Sequence, residues 1–295
     1  MDAVIMTYCL KNALPDEDPS MEDVLRLAGA EGFDVEIYGG RWTPSEDLRT
    51  AAESARKVAE ASGVSVPAYG SGTRLGHPDP QTGSDLMSKL KVDVEVCRIL
   101  GANVLTFPII DCQPVSPDRP GADQGMYFEK ALPYIIDQAR EISEYASGHE
   151  VDLAVVNHCF LCYLGWHQKW ISKITDRPNF GAGVDPGNYL HYGHEDPVSA
   201  CQLVGDWAKM ARAGDMVTRP EEETLASFES DGRLPFFQSV VFGEGEIDQK
   251  GCYTNLKDAG FDGVVSLKSG GRSEDSPLEA IRRSMSNLRS LLKAI

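Results

Sequence analysis

Eight times along the chain a short apolar run is followed by a stretch with helical periodicity or room for one. The runs fall at residues 4–8, 33–38, 64–69, 103–107, 151–156, 180–184, 209–213 and 263–267. Helical segments open at Ser20 and extend over 45–62, 84–100, 127–147 and 276–293. Ser20 and the carboxylates after it form a capping signature. Gly32, Gly101 and Gly260 each stand between a helix and the next strand, where a left-handed C-cap is needed. Such alternation forces parallel pairing with right-handed crossovers. Eight repeats in 295 residues fit closure into a single (β/α)8 barrel, an α/β fold. A doubly wound sheet fits less well, because no glycine-rich phosphate fingerprint follows the first strand.

Composition excludes several function classes. A hydrophobic content of 42% supplies a large core, and a formal charge of −17 argues against nucleic acid, whose phosphates attract basic surfaces. No apolar run approaches the roughly 20 residues of a membrane span. The first residues lack the basic leader of a signal peptide and read as a strand. Seven cysteines, an odd number scattered along the chain, suit reduced thiols and a cytoplasmic location. A single domain over 1–295 is expected, with residues 216–242 as an inserted rim or lid and a homo-oligomer or partner subunit possible in principle.

In an α/β barrel the chemistry sits where strand ends converge. Four runs here end in polar residues: Val156-Asn157-His158, Asp185-Pro186-Gly187-Asn188, Arg212-Ala213-Gly214-Asp215 and Ser266-Leu267-Lys268. Glu36, Tyr69, Ser71 and Trp166 follow earlier strands and suit the lining of a sugar pocket, although core or rim packing is the ordinary alternative. Arg74 and Arg219 are candidate contacts for an anionic substrate, with surface ion pairs the default. His191 and His194 follow Asp185 at D-x5-H-x2-H spacing, a second arrangement able to bind metal unless the histidines are simply loop residues. Cys159 and Cys162 form a lone CxxC with no second pair to complete a zinc site.

These strand ends, with Gly243-Glu244-Gly245-Glu246-Ile247-Asp248 and the stretch from Leu256 to Leu267, resemble the xylose isomerase-like TIM-barrel family of sugar and sugar-phosphate isomerases and epimerases. The resemblance implies a divalent cation, commonly Mn, Mg, Co or Zn, held by Glu, Asp, His and Glu from strands five to eight. It orients two substrate oxygens and stabilises an enediolate. By that pattern Asp185 is the one ligand retained, while Val156, Arg212 and Lys268 stand where Glu, His and Glu are expected. Valine cannot coordinate. Two like unit charges about 4 Å apart repel by roughly 4 kcal/mol at an effective dielectric near 20, and a divalent ion beside two cations fares worse. No histidine follows His194, so realignment does not restore the seventh-strand ligand.

The expectation is therefore no cofactor, with Arg212 and Lys268 neutralising Asp185. A buried lysine acting as base or Schiff-base amine is the sharper alternative. His158 resembles a proton-transfer residue of relatives that cleave C-glycosides of 3-oxo sugars, against a packed structural histidine. Expected catalytic residues are Asp185, His158, Lys268 and Arg212. Expected substrate contacts are Glu36, Tyr69, Asn157, Trp166, Asn188, Asp215 and Arg219, around a small carbohydrate or sugar derivative. The resemblance implies a carbohydrate isomerase or epimerase lineage with activity lost or metal-independent. A lyase on oxo-sugar glycosides and a non-catalytic sugar-binding or partner subunit are the alternatives.

Overall fold

The computed structural model describes residues 1–109, 128–158, 161–231, 236–268 and 276–295. The loop expected at 111–125, Cys159, Leu234 and Pro235 lie outside them. The described strands are β1 (Asp2–Met6), β2 (Val35–Tyr38), β3 (Ala68–Gly70), β4 (Val104–Phe107), β5 (Asp152–Val156), β6 (Phe180–Val184), β7 (Ala208–Ala213), β8 (Asp215–Thr218), β9 (Phe237–Val240) and β10 (Val264–Leu267). The helices are α1 (Thr7–Lys11), α2 (Met21–Glu31), α3 (Leu48–Ala61), α4 (Pro80–Ile99), α5 (Phe128–Ser147), α6 (Gly165–Thr175), α7 (Pro186–Gly193), α8 (Pro197–Val204), α9 (Glu221–Asp231), α10 (Gln249–Asp258) and α11 (Pro277–Ala294).

Eight strands close a barrel in the order β1-β10-β7-β6-β5-β4-β3-β2, and each neighbouring pair is parallel. The (β/α)8 architecture expected from the alternation is the one observed. The main core lies between barrel and helices, while Val4, Ala68, Val104, Ala154, Met210 and Val264 form a separate plug inside the barrel. Side chains alternate sides along a strand, so every second residue faces inward. Two steps up from the plug lie Thr106, Val156, Arg212 and Ser266, and Glu36 is in register with Ala68. The barrel therefore changes from apolar to polar within one layer.

Three boundaries differ from the pattern-based reading, each for a local reason. The third strand begins at Ala68 rather than near 64, because Pro67 has no N–H for the ladder, although its carbonyl still accepts from Asn103. Helix α4 begins at Pro80 rather than 84, because Asp79 accepts from the Thr82 N–H at 2.8 Å and Pro80 occupies the first turn. Helix α3 starts at Leu48 behind the cap Asp47 rather than at Ser45.

The crossover after β6 is split into α7 and α8, with His194 at φ +47 ending the first and Pro197 opening the second. Strands β8 and β9 form a separate antiparallel pair, Asp215 opposite Val240, with α9 between them in sequence. Among the described residues no helix is long and apolar enough to cross a membrane.

Candidate active site at the barrel mouth

Two ion pairs fill the polar layer. On one side Arg212, at the end of β7, donates from Nη2 to Glu36 Oε1 at 2.7 Å and to Thr106 Oγ1 at 2.9 Å. Thr106 donates to the same Glu36 oxygen at 3.2 Å. Arginine's long planar fork spans the barrel interior from β7 to β2, which a shorter cation would not. Burial works against the Arg212 guanidinium, but the Glu36 charge and hydrogen bond hold its pKa above the usual value. The expected pairing of Arg212 with Asp185 is therefore corrected: its ion-pair partner is Glu36, and Asp185 feels it only as a nearby charge.

On the other side Lys268 Nζ, just past β10, donates to Asp185 Oδ2 at 2.5 Å and to Asn188 Oδ1 at 2.8 Å. Asp185 is the N-cap of α7, its Oδ1 accepting from the Asn188 N–H at 3.3 Å. Asn157 fixes the Asp185 backbone from the next strand, donating to its carbonyl at 2.8 Å and accepting from its N–H at 2.9 Å. Burial alone would raise the Asp185 pKa; the Lys268 charge, the Lys268 hydrogen bond and the Arg212 charge outweigh it and hold the carboxyl below its usual range.

His158, two residues beyond Val156, contacts Tyr192 Oη through Nε2 at 3.1 Å. Burial first, and then the Lys268 charge, depress its pKa from 6.5 to about 4, so the ring is neutral at pH 7. Tyr8, from α1, stands beside the same charges, and burial pushes its phenol well above its ordinary value. Tyr8 lies on α1 and not on the first strand expected over 4–8, and Thr106 has the sequence context of an ordinary strand threonine; nothing in the sequence pattern marks either as a site residue. Among the described residues four buried polar atoms of this region have no hydrogen-bond partner: Glu36 Oε2, Arg212 Nε, Asn188 Nδ2 and Ser266 Oγ.

Several expected contacts are committed elsewhere. Tyr69 is one residue out of phase with the inward-facing Ala68 and points into the helix layer, where its hydroxyl faces Asp93 at 3.4 Å. Ser71 joins it there, donating to Asp93 at 2.6 Å. Both carboxylate oxygens of Asp215 are used on backbone, accepting from Met216, Gly243 and Gly245 at 2.9, 2.9 and 3.0 Å. Asn157 is spent on the Asp185 backbone. Trp166 lies on α6, half-exposed, with Phe128 and His167 against its ring. Arg219 pairs with Glu223 at 3.3 Å at the start of the insertion.

His191 packs against Tyr192 and Phe237, and His194 against Phe236 and Phe237, so both rings meet the β9 segment, while His191 also lies within electrostatic reach of Lys268 and Asp185. Among the described residues no group of three or more His, Cys, Asp or Glu side chains is arranged to hold a metal ion.

Comparison with known proteins follows this geometry. The family model described as xylose isomerase-like TIM barrel matches residues 23–291. The crystal structure of IOLI protein with a binding zinc atom is similar at a TM-score of 0.75 and 18% identity, covering 100% of this chain and 99% of that one. The apo 3-keto-D-glucoside 4-epimerase YcjR from E. coli gives 0.73 and 13%, covering 98% and 99%. D-Psicose 3-epimerase with D-tagatose from Clostridium cellulolyticum H10 gives 0.72 and 14%, covering 99% and 99%. No match was found among curated proteins. Identities this low speak for the fold alone, whereas the family model spans most of the sequence. The chain belongs to the xylose isomerase-like TIM barrel family.

Proposed function

We propose that the barrel mouth is a metal-independent site for a small neutral carbonyl sugar, acting by proton transfer beside the carbonyl as an isomerase or epimerase. The observation that carries this reading is Lys268 Nζ, seated 2.5 Å from Asp185 Oδ2 and 2.8 Å from Asn188 Oδ1. With valine at 156 and cations at 212 and 268, the donor set does not suit a divalent ion, which needs several oxygen or imidazole ligands around it.

Each remaining group has a task in the reaction. The Lys268 ammonium supplies the positive charge that a developing enediolate oxygen requires. His158, neutral at pH 7, is the proton acceptor, with Tyr192 orienting its ring. Asp185 and Asn188 position the ammonium. Arg212 and Glu36, paired and enclosed in the barrel, form the charged floor beneath the bound sugar. Two carboxylates facing two cations make the layer formally neutral, which favours a neutral sugar over a phosphorylated one.

Residues 216–242 then act as a rim or lid, hinged on Asp215 and packed through Phe236 and Phe237 onto His194. Arg219 belongs to that lid, and Trp166 to the outer rim. The buried free thiols Cys97, Cys201 and Cys252 support a reducing compartment such as the cytoplasm.

One observation favours a second reading, a silent sugar-binding module or partner subunit: Lys268 already spends two of its three N–H donors on Asp185 and Asn188, which leaves one for a bound sugar. Deuterium exchange separates the two. Carbonyl sugars, including ketoses and 3-oxo-glucosides, are incubated with the protein and EDTA in D2O. Incorporation at the carbon beside the carbonyl, lost in Lys268→Met and His158→Gln, supports turnover. Elimination of an aglycone in the same assay identifies lyase chemistry. Binding without exchange supports the silent module, and exchange that requires added metal overturns the metal-independent site.

A further inference from the structure

A cavity of about 590 Å³ lies outside the barrel between β3, α3 and α4. Its position follows from strand phase. Ala68 faces the barrel plug, so Tyr69 faces outward, and it is Tyr69 that lines this cavity. The wall of β3 thus separates it from Lys268 and Asp185. The volume falls within the range of roughly 300–1,000 Å³ occupied by small-molecule sites.

The floor is built around Asp93, a carboxylate on a core-facing position of α4 that is only 5% exposed. Ser71 and Thr73 donate to its Oδ2 at 2.6 and 2.9 Å, and Tyr69 faces its Oδ1 at 3.4 Å. Those hydroxyls account for the buried carboxylate and tie the 71–73 turn to the helix. Burial nevertheless raises the Asp93 pKa, its hydrogen bonds only partly opposing the shift.

Above the floor the character changes. Leu48, Leu86 and Val92 make apolar walls, and Arg74, His77 and Lys89 stand on the lining. Among the described residues Asp93 is the only carboxylate lining the cavity, and Lys89 is exposed at its edge. His77 Nδ1 accepts from the Asp79 N–H at 3.1 Å, which leaves Nε2 as the protonated nitrogen of the neutral ring and a donor. In a chain of formal charge −17, a concave apolar surface edged by the exposed Lys89 ammonium and an imidazole donor selects for negative charge.

We infer that this cavity is a binding site for a small amphipathic anion, a carboxylate or phosphate carried on an apolar body. The apolar part sits against Leu48, Leu86 and Val92, and the anionic group meets Lys89 and the His77 Nε2–H. The site is separate from the sugar reading of the mouth and does not depend on it.

The test uses the full chain and three probes of one shape: benzoate, phenyl phosphate and benzylamine, titrated by amide NMR at low and high salt. The two anions are expected to shift amides of residues 71–77 and 86–93, with affinity falling as salt rises. Benzylamine is expected to cause no saturable shift. A preference for benzoate or for phenyl phosphate names the anionic group.

Lys89→Glu, at an exposed position that leaves the fold intact, should weaken anion binding at least tenfold, while Lys268→Met leaves it unchanged. Lys89 is the better probe than Arg74, whose charge also reaches His158. Leu86→Trp, which fills the apolar end, should abolish binding with the thermal transition retained. Benzylamine binding as well as the anions, or anion shifts unaffected by Lys89→Glu, would overturn the inference. So would the absence of any saturable shift in this region.

Discussion

Arg212 on β7 and Glu36 on β2 form an ion pair at 2.7 Å across the barrel interior, with side chains 9% and 0% exposed. The two residues are 176 positions apart, and each is the neighbour of a plug residue in strand phase or register. A pair so enclosed gains little net stability over an apolar replacement, but the loss of one member leaves the other charged and dry.

Arg212→Leu alone should therefore destabilise the protein by roughly 3–5 kcal/mol, as should Glu36→Leu, whereas the double variant should approach the parent. Urea denaturation of the four proteins in a double-mutant cycle measures this. Additive losses in the double variant would mean that the pair is not the coupled unit described.

His158 is depressed in the fold from 6.5 to about 4. The unfolded chain thus takes up a proton at this ring before the folded one does. Its contribution to stability is present above about 6.5 and is lost as pH falls from there toward about 4, a loss of order 1–3 kcal/mol for a partly buried ring. His167 is depressed to about 4 as well, by burial, and adds a loss of the same sign. Asp185, held below its usual value, acts only at lower pH. His158→Gln should flatten the pH dependence of stability between about 4 and 6.5 without abolishing it. In Lys268→Met the ring should titrate higher, yet still below 6.5, because burial is the larger cause. Imidazole NMR reads that value directly.

Asp215 serves the backbone at the point where β7 gives way to the inserted pair. Asp215→Ala strips acceptors from the Met216, Gly243 and Gly245 amides and should cost roughly 1–3 kcal/mol. Hydrogen exchange at Gly243 and Gly245 should accelerate more than in the barrel strands. Unchanged protection there would show that the hinge is held by something else.

Much of this was legible in the chain because strand phase and strand ends are local properties. The alternation gave eight strands and a barrel, the polar end of the last strand, read with the family resemblance, pointed to Lys268, and two-residue spacing from Val156 placed His158 on the same side of its strand. The partners were harder to read. Arg212 and Asp185 both stand at ligand positions of the cup that the resemblance implies, but the register with Ala68 brings Glu36 into Arg212's reach instead. Tyr69 lies one residue out of phase with the barrel interior, in a strand that Pro67 shortens. Asp215 and Asn157 looked like free polar groups at a mouth, yet backbone N–H groups created by the turns around them take their oxygens, and no side-chain pattern encodes that demand.

Restoring the family's ligand types is a stringent test of the framework. The triple variant Val156→Glu, Arg212→His and Lys268→Glu, with Asp185 kept, should take up one Mn, Co or Zn ion. Glu36 would then have a histidine in place of its arginine, so some loss of stability is expected alongside metal uptake. Calorimetric titration with each metal reads the gain. No uptake by a folded triple variant would mean that the mouth has changed shape beyond these side chains.

We propose that the Lys268 ammonium takes the part of a metal ion at Asp185. This is checked by elemental analysis of the native protein, expressed with Mn, Co and Zn supplied and then dialysed. The expected result is far less than one equivalent of any divalent metal, unchanged in Asp185→Asn. One tightly held equivalent that disappears in Asp185→Asn would contradict it.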